Sequence, residues 1–145
     1  MFYHIVWSTK NREPLITPSA EPEIHNLIKT KAIGLGGTVF TVNGIEDHVH
    51  VVTAIPPRIA AATFVGQVKG ATTAKYNQGR SDEGKIYWQD EYGIFSFDRK
   101  RLPNVVAYVE NQKQDSLPLW SCSRVRVESA TTRTPLEQLH SGRLS

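Results

Sequence analysis

Two rhythms alternate along this chain: short stretches rich in strand formers, and longer ones with apolar residues at helical spacing. Residues 3–8 read as a strand, with Ile5, Val6 and Trp7 ahead of a polar stop at Thr9-Lys10-Asn11-Arg12. A helix is predicted after Thr17-Pro18-Ser19, with Ile24, Leu27 and Ile28 on one face and glycines at 34, 36 and 37 ending it. Residues 38–42 form a second predicted strand, and Asn43-Gly44 is a turn signal, with Ile45 to Asp47 able to lengthen the connection. A third strand spans 48–55 and stops at Pro56-Pro57. A second helix fits 59–77, where Ala61, Phe64, Val65, Val68 and Ala71 are spaced for burial.

Residues 78–85 are polar and read as a loop, and 86–97 read as short strand-like pieces broken at Gly93. The clearest helix follows at 103–114. Pro103 suits its first turn, and Leu102, Val105, Val106 and Val109 recur at one-face spacing. Beyond Pro118 the pattern fades: 123–128 alternate enough for an edge strand, and 130–145 are expected to be a mobile tail. The order is β-α-β-β-α-β and then a helix. It predicts an α+β fold of the ferredoxin-like, split-βαβ kind, an antiparallel sheet with helices packed on it. A chain of 145 residues supports one core. The predicted division is a domain over 1–118 and an extension over 119–145.

Composition narrows the class. Hydrophobic residues at 39% and charged ones at 21% are ordinary for a globular protein. No run approaches the roughly 20 apolar residues of a membrane span. The N-terminus lacks the basic start and small-residue cleavage site of a signal peptide. The single cysteine, Cys122, is too few for an internal disulfide or a cysteine-built zinc site. A cytoplasmic protein is the simplest expectation. The net charge of +3 favours a polyanionic partner, because phosphate contacts release counterions, but many basic proteins bind no nucleic acid.

Two groups of residues carry candidate chemistry. In His48-Val49-His50 a strand would aim both imidazoles at one face and Val49 at the other, which makes a pair of metal ligands or simply two surface histidines. Tyr108 and Gln112 are four apart and would share a helical face at the shoulder of the apolar stripe. A tyrosine hydroxyl can act as a nucleophile, and a glutamine can offer its amide oxygen to a hard metal. The plainer reading is a half-buried tyrosine and a solvated glutamine.

Five blocks resemble the single-tyrosine HUH transposases of the insertion-sequence-200 type. They are the opening Tyr3-His4-Ile5-Val6-Trp7-Ser8-Thr9-Lys10-Asn11-Arg12, Asp47-His48-Val49-His50-Val51-Val52, Phe64-Val65-Gly66-Gln67-Val68-Lys69-Gly70, Trp88-Gln89-Asp90-Glu91-Tyr92-Gly93-Ile94-Phe95-Ser96, and Tyr108-Val109-Glu110-Asn111-Gln112. They fall in family order over residues 3–114. Glu91 stands where the family block suggests glycine, and Lys113-Gln114-Asp115-Ser116 replaces a frequently histidine-rich or basic stretch.

The resemblance implies a transposase that cleaves and rejoins single-stranded DNA at hairpin ends. His48, His50 and Gln112 would hold Mg²⁺ or Mn²⁺, and Tyr108 would form a 5′-phosphotyrosine intermediate. A free phenol titrates near 10, so at pH 7 about one in a thousand is ionised and the site must ease proton loss. Lys10, Arg12 and Lys69 fall inside resembling blocks and are candidate DNA contacts, as are Arg99 and Arg101 just before the tyrosine helix. His4 reads as a structural histidine, His25 and His140 as surface residues, and Tyr87 and Tyr92 as packing. Tyr76 reads as a base-stacking or core-capping residue. A homodimer is implied as well. The alternatives are a host-serving HUH nuclease acting on palindromic repeats, a non-catalytic DNA-binding protein, and a ferredoxin-like RNA-binding module.

Overall fold

Strand β1 (Phe2–Ser8) is the centre of a five-stranded antiparallel sheet of order β2-β3-β1-β4-β5. In the computed structural model the residues described are 1–113 and the backbone of 126–129. The other elements are α1 (Glu21–Gly34), β2 (Thr38–Ile45), β3 (His48–Ala54), α2 (Ala61–Asn77), β4 (Glu91–Phe97), α3 (Leu102–Glu110) and β5 (Arg126–Ser129). The β2-β3-β1-β4 core with its two crossover helices is the ferredoxin-like plan expected from the element order.

Alternation along the strands sorts the side chains into two layers. Ile5 and Trp7 of β1, with Val49 and Val51 of β3, face α1 and α2 and meet Ile24, Ile28, Phe64, Val65 and Val68. Phe64 is 1% exposed, a burial that contributes about 2 kcal/mol. The even-numbered residues of β1 and β3 face the other way. There Phe2, Val52 and Phe97 form a second, smaller cluster, which Leu102, Val105, Val106 and Val109 of α3 cover. Two helices thus seal one face of the sheet, and α3 covers part of the other.

Several boundaries differ from the sequence reading. Asn43-Gly44 is not a turn but the interior of β2, whose hairpin to β3 turns at residues 46–47. Glycine is required at 44 by crowding: a Cβ there would lie 2.3 Å from the His48 carbonyl oxygen. Gly93 does not break β4, because it pairs with Val6 on one side and Val127 on the other, and ladders on both sides hold it extended. Helix α3 ends at Glu110, so Gln112 sits in the following turn, its backbone N–H donating to Val109 O at 3.1 Å. The edge strand predicted at 123–128 is β5, shifted slightly later. The tail expected at 130–145, His140 included, lies outside the described residues.

Candidate active site

The site lies on the α3 face of the sheet and is built outward from β3. His48 and His50 share that face and Val49 is buried on the other. Their ring centroids are 4.9 Å apart at an interplanar angle of 72°. His48 is 4% exposed and His50 fully buried, so neither is the surface histidine of the plainer reading.

Each ring has one nitrogen fixed by a neighbour. His48 Nδ1 is 2.8 Å from Asp47 Oδ1, and Asp47 Oδ2 accepts from Arg12 Nε at 3.3 Å. His50 Nδ1 is 2.8 Å from His4 Nε2, with the two rings stacked at 5.1 Å. His4 sits diagonally across the β1–β3 ladder, since Val6 is the residue directly opposite His50. The remaining nitrogen of each β3 ring, Nε2, is buried. Burial keeps these rings neutral. It pushes His50 down to about 2, helped by His4 and His48, and His4 down to about 3. It also lowers His48, with Asp47 opposing the shift. A neutral imidazole is the form that can offer a lone pair.

Helix α3 brings in the second group from the same chain. The Tyr108 ring meets the His50 ring edge-on, with centroids 6.4 Å apart. Gln112 is 4% exposed, and its Oε1 is buried with no hydrogen-bond partner among the described residues. Asn43, opposite His50 in the β2–β3 ladder, donates Nδ2 to Val109 O at 2.9 Å and Glu110 O at 3.2 Å. Those carbonyls end a helix and have no partner within it. Lys113 completes the tether, donating to Asn43 Oδ1 at 2.6 Å, to Gly44 O at 3.0 Å and to the Glu21 carboxylate at the start of α1.

Strand β3 and helix α3 therefore meet at the contact between the His50 and Tyr108 rings. Among the described residues no group of three or more His, Cys, Asp or Glu is placed to hold a metal. The metal set expected from the sequence is two imidazoles and one amide oxygen, and a hard cation would need further oxygens from elsewhere. One strand away is a cavity of about 250 Å³, bordered by Ser8, Arg12, Gln89, Glu91 and Gly93.

The basic candidates fall in different settings. Lys10 is exposed, in a turn whose backbone bonds to Tyr87 O and to the Gln89 side chain. Arg12 is half-exposed and paired with Asp47. Arg99 lies over the Phe2 ring at 5.4 Å, and Arg101 is exposed. Lys69 is not on the surface: it is 7% exposed, and its ammonium donates to Gln89 O at 2.6 Å and to Asp90 O and Glu91 O at 3.4 Å. It ties α2 to the segment that leads into β4.

Other expectations shift too. His25 is largely covered and lies 3.7 Å from Glu21. Tyr87 is 47% exposed rather than packed, whereas Tyr76 caps the core, one of the two roles expected of it, with Arg80 over its ring. The sequence reading missed the bond from His4 to His50, the support of His48 by Asp47, and the tether made by Asn43. Only Asp47 had a local signal, a carboxylate directly beside a candidate ligand histidine.

No helix among the described residues is long and apolar enough to cross a membrane. Residues 1–112 match the family described as IS200-like transposases. The chain is 25% identical over 115 residues to the ISDra2 transposase TnpA of Deinococcus radiodurans, covering 76% of this chain and 82% of that one. Its fold is similar to the crystal structure of a D. radiodurans R1 protein described as a transposase, with a TM-score of 0.62 and 20% identity over 77% of this chain and 90% of that one. It is also similar to a REP-associated tyrosine transposase bound to a REP hairpin, with a TM-score of 0.59 and 12% identity over 80% and 69% of the two chains.

Proposed function

The chain belongs to the IS200-like transposases, and on that premise we propose that it cuts and rejoins single-stranded DNA at hairpin ends with Tyr108 as the nucleophile. The observation that carries this reading is the Tyr108 ring set against His50 within one chain. The other four tyrosines sit elsewhere in the fold. Tyr3 and Tyr92 pack into the α1–α2 layer, Tyr76 caps it, and Tyr87 is exposed.

In the reaction the Tyr108 hydroxyl oxygen bonds to phosphorus and gives up its proton, while the bond from phosphorus to the 3′ oxygen breaks and that oxygen leaves as a hydroxyl. The strand is then held as a 5′-phosphotyrosine. Attack by a 3′-hydroxyl reverses the step and returns the proton to the phenol, so rejoining needs no nucleotide energy.

The donor set fits a divalent cation: Gln112 presents a buried amide oxygen lacking any hydrogen-bond partner among the described residues. His48 and His50 through Nε2, with Gln112 through Oε1, would hold Mg²⁺ or Mn²⁺, which when bound supplies charge stabilisation at the scissile phosphate. Arg99, Arg101 and Lys10 are exposed and suited to backbone phosphates, and Arg12 borders the cavity beside the site. The protein is proposed to work as a cytoplasmic homodimer, although Tyr108 reaches its histidine without a second copy. A purely DNA-binding role gives no account of the Tyr108 ring set against a buried pair of imidazoles.

The test is covalent trapping. The protein is incubated with Mn²⁺ and hairpin-bearing single-stranded oligonucleotides, and adducts surviving denaturation are measured. Adducts in wild type and Tyr92→Phe, with none in Tyr108→Phe, support the assignment. An adduct that persists in Tyr108→Phe overturns it.

A further inference from the structure

His4 is fully buried on the site face of β1, yet it is not in the proposed donor set. Its one hydrogen bond among the described residues joins Nε2 to His50 Nδ1 at 2.8 Å. The other nitrogen, Nδ1, is buried with no hydrogen-bond partner among those residues. The bond between the two rings holds one proton, and each neutral ring carries one proton in total. Only two arrangements follow. In the first, His50 donates from Nδ1 and keeps a lone pair on Nε2, and the proton of His4 is on its own Nδ1. In the second, His4 donates from Nε2, and the proton of His50 is moved to Nε2, where it blocks coordination.

We propose that His4 is a positioning residue that accepts the Nδ1 proton of His50 and so leaves His50 Nε2 able to bind a divalent cation. The inference rests on the metal reading given above. The two ligand histidines are supported differently. His48 faces a carboxylate, which only accepts when ionised and therefore fixes the tautomer outright. His50 faces a second imidazole, which can accept or donate. Its tautomer and that of His4 are consequently locked together: both rings carry their proton on Nδ1, or both on Nε2. Cation binding at His50 selects the first arrangement, and the information reaches a ring that the cation does not touch. Outer partners of this kind commonly set metal affinity by about 10- to 100-fold.

Imidazole nitrogen NMR on the full chain, metal-free and then with Zn²⁺ as a diamagnetic probe, reads both tautomers directly. Matched tautomers in the free chain, with both protons on Nδ1 once Zn²⁺ is added, are the expected result. Mismatched rings, or His50 protonated on Nε2 with Zn²⁺ bound, overturn the proposal. Mn²⁺ affinity, read from the free-ion electron paramagnetic resonance signal, supplies a second measurement. His4→Leu should weaken binding at least tenfold, and His4→Gln, whose amide oxygen can accept from His50, should stay within about threefold of wild type. Wild-type affinity in a folded His4→Leu, with loss in His48→Ala, overturns the positioning role alone. Affinity untouched by both His48→Ala and His50→Ala overturns the metal reading, and the purpose assigned to His4 with it.

Discussion

The side-chain amide of Asn43 donates to the carbonyl oxygen of Val109 at 2.9 Å, joining an edge strand to the end of the tyrosine helix across 66 positions of sequence. The helix that carries Tyr108, the proposed nucleophile, is therefore held in place by a polar contact three residues from Gln112, made by a residue directly across the ladder from His50. Replacing Asn43 by Leu removes the donor, leaving Val109 O with the Gln112 N–H and Glu110 O without the Asn43 amide. A loss of about 1–3 kcal/mol in unfolding free energy is expected, with a larger relative loss of DNA adduct than of Mn²⁺ binding at the histidines. Chemical denaturation and adduct yield measured side by side check this. Unchanged stability and unchanged yield would show that α3 does not depend on the tether.

Gly44 offers a sharper probe of the same region. A Cβ there meets backbone, 2.3 Å from His48 O and 2.9 Å from Val49 Cα, so Gly44→Ala must push β2 away from β3 beside the first histidine. The expected cost is about 2 kcal/mol together with impaired cleavage. The contrast is Gly66→Ala or Gly70→Ala, exposed helical positions where a Cβ meets nothing within 4 Å. Each should raise stability by about 0.5–1 kcal/mol. Thermal melts of the three variants decide the point, and equal effects at 44 and 66 would refute the packing argument.

Lys69 and the Arg99/Arg101 pair are expected to separate in salt titrations of hairpin binding. Lys69→Met strips a charged donor from the carbonyls of 89–91 and should cost about 2 kcal/mol of stability, while the salt dependence of binding stays as in wild type. Arg99→Gln and Arg101→Gln should leave the melt nearly unchanged and reduce the slope of log affinity against log salt by roughly one each. A Lys69→Met protein that melts normally but binds with a reduced slope would restore Lys69 as a phosphate contact.

Acid stability should carry the mark of His25. Burial, aided by Lys113 and Lys29 and opposed by Glu21, lowers it to about 4 from an ordinary 6.5. The unfolded chain then binds the proton more readily than the folded one between those values. The stability tied to neutral His25 is fully present above pH 6.5 and drains away as the pH falls toward 4, at up to about 1.4 kcal/mol per pH unit. Melting temperature followed from pH 7.5 to 4.5 should fall less steeply in His25→Gln than in wild type. Parallel curves would contradict the shift.

What the sequence disclosed, and what it withheld, follows from the range of each signal. Strand alternation placed both β3 histidines on one face and Val49 on the other, since a period of two is a local property. Helical spacing placed Tyr108 beside the apolar stripe of α3 for the same reason. The Asn43-Gly44 pair misled because a tight turn and a crowded strand crossing both demand a residue without a Cβ, and only the pairing with His48 and Val49 tells them apart. Lys69 misled because its three acceptors are backbone carbonyls some twenty residues away, which no side-chain pattern advertises. The bond from His4 to His50 was invisible until β1 lay next to β3 in a known register.

Arg12 reaches Asp47 from an unusual backbone. Asn11 and Arg12 have φ of 57° and 56°, two consecutive left-handed residues of which only asparagine tolerates the conformation readily. The bend turns the guanidinium inward, toward the carboxylate that props His48. Shape and charge at this corner are consequently separable. Glycine at 12 would follow the same path more comfortably and lose the ion pair, whereas lysine would keep a cation and retain the torsional discomfort. Whether the corner serves chiefly as a bent hinge of chain or as a charged brace for the first histidine can thus be read from which of the two exchanges the protein tolerates.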